Sequence, residues 1–323
     1  MMIMTVYKGV IITTLVGTFS VFSACSTLPI QKSNNTSTMV TNPLTAMMPE
    51  IDRLGRIAYV EEQGLGAAKI SSLYSILPDG SERQLIDQLN GYIYAPAWSA
   101  DGKQLAYSKQ ALRQPPKIYI YDTRTQAQTL VVGGKGSHLS AVFSPDGQKL
   151  LYSSTVSGNA DIYELRLGDG SSTQLTITPS TEVQPSYAPD GKSFVYVSDK
   201  SRAGRPRLYR YHFASKRTQP IATSGYAASP QLSQDGTRMA FLNGRQAAVM
   251  TLATGQVLNL GETGLDEPAR FSPSGSYAVY PMQNKSLNGQ SGSSLVIRAL
   301  SGGTSYTISS KSGGLARSPV WGR

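Results

Sequence analysis

Cysteine is all but missing from this chain. Cys25 is the only one in 323 residues, and histidine occurs twice, at His138 and His212. A single thiol excludes an internal disulfide framework and a site built from paired thiolates. The two histidines stand 74 positions apart, so no short metal-binding motif can use both. Charged residues are few, at 15%. The apolar run Gly9–Phe22 is too short to cross a bilayer comfortably. There is no Gly-x-Ser-x-Gly elbow and no His-Glu-x-x-His pair, which removes the usual signatures of serine hydrolases and zinc peptidases. Gly191-Lys192-Ser193 imitates the end of a phosphate loop but lacks the upstream glycine, and Gly64-Leu65-Gly66 reads as a hairpin loop. No cofactor and no metal is expected from these residues.

What is present is a repeat. Ala141-Val142-Phe143-Ser144-Pro145-Asp146-Gly147 followed by Lys149-Leu150-Leu151-Tyr152 reads as strand, tight turn, strand, with proline, aspartate and glycine each suited to its turn position. The same unit recurs at Trp98, Tyr187, Leu232 and Phe271, with turns Asp101-Gly102, Asp190-Gly191, Asp235-Gly236 and the degenerate Ser274-Gly275. With Trp321 as the last aligned residue, the spacings run from 39 to 50 positions. A period near ~40–45 residues with four short strands per unit is that of a propeller blade.

The two ends of the repeat region complement each other. Arg56-Ile57-Ala58-Tyr59-Val60 has the form of a post-turn strand with no partner before it, and Pro319-Val320-Trp321 has the form of a pre-turn strand with nothing after it. Pairing them closes the ring and removes its open edges. The predicted fold is all-β, a six-bladed β-propeller of four-stranded blades closed by the C-terminal strand.

The expected organisation is a leader over 1–24, a flexible tether over 25–55 rich in Ser, Thr, Asn and Pro, and the propeller over 56–323. Phe22-Ser23-Ala24-Cys25 resembles a bacterial lipoprotein signal, in which Cys25 is acylated. Phe22 departs from the leucine preferred there, and a plain secretory leader is the alternative. Ser26 after the cysteine implies, by that resemblance, sorting to the outer membrane.

Pro96-Ala97-Trp98-Ser99-Ala100-Asp101-Gly102 and Ser198-Asp199-Lys200-Ser201-Arg202-Ala203-Gly204-Arg205-Pro206 resemble the repeats of the TolB propeller, over roughly residues 56–323. The resemblance implies a periplasmic, non-enzymatic component of the Tol-Pal envelope system whose propeller binds the peptidoglycan-associated lipoprotein Pal. In that family a sizeable α/β domain precedes the propeller, whereas here only the tether separates Cys25 from Arg56. An anchored, TolB-like propeller lipoprotein acting as a monomer is the expectation.

Loops entering the first strand of each blade line one mouth of an axial channel and are the expected partner-binding residues. Here they include Tyr94, Ser137, His138, Ser140, Glu182, Val183, Gln184, Ser229, Asp266, Glu267 and Arg317. The family carries an acidic residue in place of Gln184. Read without the family, each is a solvated loop residue. Two other functional readings stay open: a lyase or lactonase with acidic residues dispersed about the axis, and a scaffold lipoprotein unrelated to Tol-Pal. Net charge is +10, with Lys200, Arg202, Arg205, Arg207, Arg210, Lys216 and Arg217 concentrated in one repeat beside Tyr209, Tyr211 and Phe213. An export signal argues against nucleic acid, so the cations point to an acidic protein or anionic envelope material.

Overall fold

The computed structural model describes residues 43–284, 292–310 and 313–323. The leader, Cys25 and the first part of the tether lie outside the described residues. Two short helices, α1 (Pro43–Met47) and α2 (Glu50–Arg53), come first, and nearly all remaining regular structure is antiparallel strand. β1 (Arg56–Gln63) pairs with β2 (Ile70–Ile76), and the C-terminal strand Leu315–Gly322 lies on the other side of β1. Its register matches Ile57 with Trp321 and Ala58 with Val320, the pairing expected of the two chain ends.

The fold is an all-β propeller, but its sheets are not all separate. Four sheets have four strands each, and one has seven. The seven-stranded sheet arises because β3 (Gln84–Trp98) runs without a turn from one partner to the next. Its first half, Gln84–Asn90, pairs with β2, and its second half, from Gly91 on, pairs with Gln104–Ala111. Gly91 sits at the change of partner. A Cβ there would meet the Gln110 carbonyl oxygen at 2.2 Å, so only glycine lets the backbones approach that closely.

The second strand of each repeat is buried through its middle, and Ser193–Ser198 and Leu150–Ser154 are buried throughout. Both faces of each sheet are covered by neighbouring sheets, which explains runs such as Phe194-Val195-Tyr196-Val197 in place of alternation. Val183, Val195, Val197 and Leu208 of one sheet pack on Leu232, Met239 and Phe241 of the next. Each such large side chain contributes about 2 kcal/mol on burial.

The repeated turns are held by a serine–aspartate pair. Ser144 Oγ donates to Asp146 Oδ1 at 2.5 Å, Gln148 N donates to the same oxygen at 3.1 Å, and Lys149 N donates to Ser144 Oγ at 2.9 Å. Ser99 with Asp101 and Ser233 with Asp235 repeat it. These bonds favour the ionised carboxylate: the serine hydroxyl and the backbone N–H lower Asp101 and Asp146 and bring Asp235 to about 2. A carboxyl depressed in the folded state stabilises above its unfolded pKa and loses that stabilisation as the pH falls toward the folded value. Chemical denaturation between pH 4 and pH 2 is therefore expected to show falling stability, and the triple substitution D101N/D146N/D235N should flatten that slope. An unchanged slope in the triple variant would remove the turns as its source.

Residues 43–55 differ from the flexible tether expected there. Leu44 and Met48 are 6% exposed and Asp52 is fully buried, packed against the ring beside Tyr277 and Trp321. Polar composition hid this, because the arm is ordered by a few contacts with residues more than two hundred positions away.

Candidate functional site

The first strands of the repeats surround a cavity of about 1540 Å³ that runs from the loops before each strand to the turns after it. At the mouth these strands share one distortion. The ladder register shifts between Tyr94 and Ala97, Leu139 and Val142, Val183 and Ser186, and Ala228 and Gln231, and again near Arg317–Val320. At each shift one residue has a left-handed backbone: Ala95 (φ 45°), Ser140 (57°), Gln184 (55°), Ser229 (52°) and Ser318 (48°), with Asp266 (51°) in the remaining repeat. Such a conformation in a non-glycine residue costs about 1–3 kcal/mol, and β-bulges of this kind re-aim side chains.

The bulge had a signal in the sequence. Proline recurs two places ahead of the aligned residue at Pro96, Pro185, Pro230 and Pro319. Proline cannot donate to a ladder, so inside a strand it marks a bulge.

Hydrogen bonds run from one bulge to the next. Ser229 N donates to Gln184 Oε1 at 2.9 Å, Gln184 N donates to Ser153 Oγ at 3.1 Å, and Ser318 N donates to Glu267 Oε2. Arg270 Nη1 donates to the Ser229 carbonyl oxygen at 2.8 Å. One side of the mouth is charged. Arg317 bridges Glu267 at 2.7 Å and Glu62 at 3.5 Å, and Lys69 holds Glu62 at 2.7 Å. Glu267, with Glu62, pushes the Arg317 guanidinium well above its ordinary value against the cost of burial. Burial pulls Arg270 down to about 10, with Glu267 opposing. The other side is neutral, formed by the stacked Tyr92–Tyr94 pair, Ser140, Gln184 and the exposed ring of Tyr226. Glu62, Lys69, Arg270 and Tyr226 are additions that no sequence motif marked.

Of the residues expected at the mouth, Tyr94, Ser137, Ser140, Gln184, Ser229, Asp266, Glu267 and Arg317 do line the cavity. His138 and Glu182 do not. His138 is 3% exposed and packs edge-on to Tyr152 at 6.1 Å, and burial lowers its imidazole while backbone groups of Gly133 and Lys135 oppose. Glu182 is fully buried, accepting from Ser198 Oγ at 2.7 Å and Thr178 Oγ1 at 2.8 Å. Burial pushes its carboxyl up against those hydroxyls, and Asp161 adds to the rise. Both point between sheets because strand side chains alternate, and their neighbours Ser137, Leu139, Thr181 and Val183 take the channel side. Val183 reaches the cavity wall but is 2% exposed and serves the core.

The basic repeat is partly occupied by its own chain. Lys200 Nζ lies 3.9 Å from the centre of the Tyr209 ring, and Arg207 Nη1 donates to the Gly225 carbonyl oxygen at 2.6 Å. Among the described residues, no three of His, Cys, Asp and Glu gather in a metal-binding group, and no helix is long and apolar enough to cross a membrane.

Residues 53–323 match the family described as the TolB beta propeller domain. The chain is 30% identical over 285 residues to the Tol-Pal system protein TolB of Francisella tularensis subsp. holarctica (strain OSU18), covering 83% of this chain and 63% of that protein. It thus spans under two thirds of the length of the curated relatives it matches. The solved structure of TolB from Acinetobacter baumannii superposes with a TM-score of 0.72 at 30% identity, over 84% of this chain and 67% of that one. The structure of a putative TolB from Agrobacterium tumefaciens, at 20% identity and a TM-score of 0.58, over 78% of this chain and 88% of that one, shares the fold.

Proposed function

The chain belongs to the TolB β-propeller family, and from that membership we propose that it is an exported, non-enzymatic protein-binding propeller of the cell envelope. Its partner is an envelope protein of the Pal-like lipoprotein kind, received at the bulged mouth of the channel. The ring has six blades on this reading: β3 serves one blade up to Asn90 and the next from Gly91. Cys25 carries a lipid that holds the protein to the outer membrane on its periplasmic side, with the residues ahead of Pro43 as the tether.

The observation that carries the reading is the ring of six left-handed residues around one mouth, four of them followed by proline. Strain repeated at the same place in successive repeats is retained where it shapes a recognition surface. The relatives named as Tol-Pal components support the choice of partner. Two of the acidic groups at the mouth are held in ion pairs, Glu267 by Arg317 and Glu62 by Lys69 and Arg317, which disfavours a lyase that would need them free.

Tyr226 is 43% exposed at the mouth and Leu139 half-buried there. Tyr226→Asp and Leu139→Arg are expected to weaken capture of a Pal-like lipoprotein by about thirty-fold or more, the range of an interface hot spot. Their melting temperatures should stay near that of the parent. Capture at parental strength by both variants, measured by titration with the purified lipoprotein, would rule out the mouth.

A further inference from the structure

The fifth repeated turn lacks the carboxylate that the other four contain. Ser272-Pro273-Ser274-Gly275 has serine where Asp101, Asp146, Asp190 and Asp235 stand elsewhere. In three of those turns the aspartate accepts from the opening serine, and in all four it accepts from the N–H two residues on. In the fifth turn the two tasks are divided. Ser276 N donates to Ser274 Oγ at 3.0 Å, so Ser274 takes over the second task. The first is met from outside the turn. Asp52 Oδ2 accepts from Ser272 Oγ at 3.0 Å and from Ser274 Oγ at 2.5 Å, and Asp52 Oδ1 accepts from Ser274 N at 2.8 Å.

Asp52 is fully buried, unlike the exposed Asp101 and Asp146. A carboxylate without water is tolerated only when its oxygens are well hydrogen-bonded, as these are. The rest of the arm follows it onto the ring. Leu44 and Met48 pack in the cluster that holds Trp321, Tyr277 and Ile57. Gly55 passes so close to the end of the C-terminal strand that a Cβ would stand 2.4 Å from the Gly322 carbonyl oxygen.

We propose that the Ser272–Gly275 turn is a carboxylate-binding site whose ligand is Asp52, and that it docks residues 43–55 over the seam where the first and last strands meet. The turn lies at the far end of its strand from the bulges. The arm therefore leaves the ring on the face away from the mouth, and any attachment upstream of Pro43 leaves that mouth open. This orientation rests on the mouth reading above. The docking of Asp52 does not.

The test uses the full chain with Asp52→Ala, Ser274→Asp and the two combined. Trypsin cleavage at Arg53 reports the arm, and thermal melting reports the ring. D52A is expected to be cut at Arg53 about tenfold faster or more and to melt lower, from the loss of hydrogen bonds to a buried charge. S274D, which sets a second carboxylate against the first, should also free the arm. The double variant regains a carboxylate within the turn, so it should melt above D52A while Arg53 stays open to cleavage. Parental cleavage of D52A, or a double variant melting no higher than D52A, would overturn the proposal. Capture of a Pal-like lipoprotein by D52A should match the parent; its loss with the cleavage results as expected would count against the mouth reading alone.

Discussion

Deleting the nine residues Leu315–Arg323 is expected to abolish cooperative unfolding. β1 would lose its partner along Arg56–Glu62, and its unpaired N–H and C=O groups would face water or another chain. Trp321, Val320 and Ala316 would leave the clusters that hold Ile57, Tyr59 and Leu73. Removal of a buried tryptophan alone typically costs about 3–5 kcal/mol. Added to the lost ladder, this rivals the whole stability of an ordinary domain, about 5–15 kcal/mol. Trp98 remains as a fluorescent reporter, so urea titration followed by fluorescence and circular dichroism decides the matter. A single coincident transition at the parental midpoint would show that the ring does not depend on this strand.

Glu267→Ala carries the next largest expected effect, a loss of about 3 kcal/mol. Glu267 is 7% exposed and satisfies two groups at once, Arg317 Nε and the N–H of the left-handed Ser318. Without it, Ser318 N loses its acceptor, and Arg317 keeps only the longer contact to Glu62 at 3.5 Å. Breaking a buried pair from one side costs about 3–5 kcal/mol, and the remaining Glu62 places this case at the lower end. Glu267→Gln keeps an acceptor for Ser318 and should lose less. The double variant E267A/R317M should be less destabilised than the sum of its parts, since neither charge is then left alone. Urea midpoints of the parent, E267A, E267Q, R317M and the double variant measure these effects; an E267A midpoint equal to the parent would mean the pair contributes nothing to the seam.

Particular residues show which features can be read before folding. The strand–turn–strand units were legible because Pro145-Asp146-Gly147 and its counterparts act through their own backbone within a few residues. The proline of Gln184-Pro185 and Ser229-Pro230 announced a bulge equally locally. His138 and Glu182 were harder. Whether a residue faces the channel or the next sheet depends on strand phase, and a single-residue bulge resets that phase. The run Asn90-Gly91 resembles a break between strands, yet Gly91 lets β3 continue from one partner to another.

By itself the sequence determined the repeat, its turns, the all-β propeller and the meeting of the two chain ends, because each is written in short-range backbone chemistry repeated at a steady period. Only the tertiary structure decided that Val183 belongs to the core, that Glu267 ties Ser318 to the neighbouring repeat, and that Asp52 completes a turn 220 positions away. Those contacts join residues distant along the chain, and no local preference of either partner encodes the other's position.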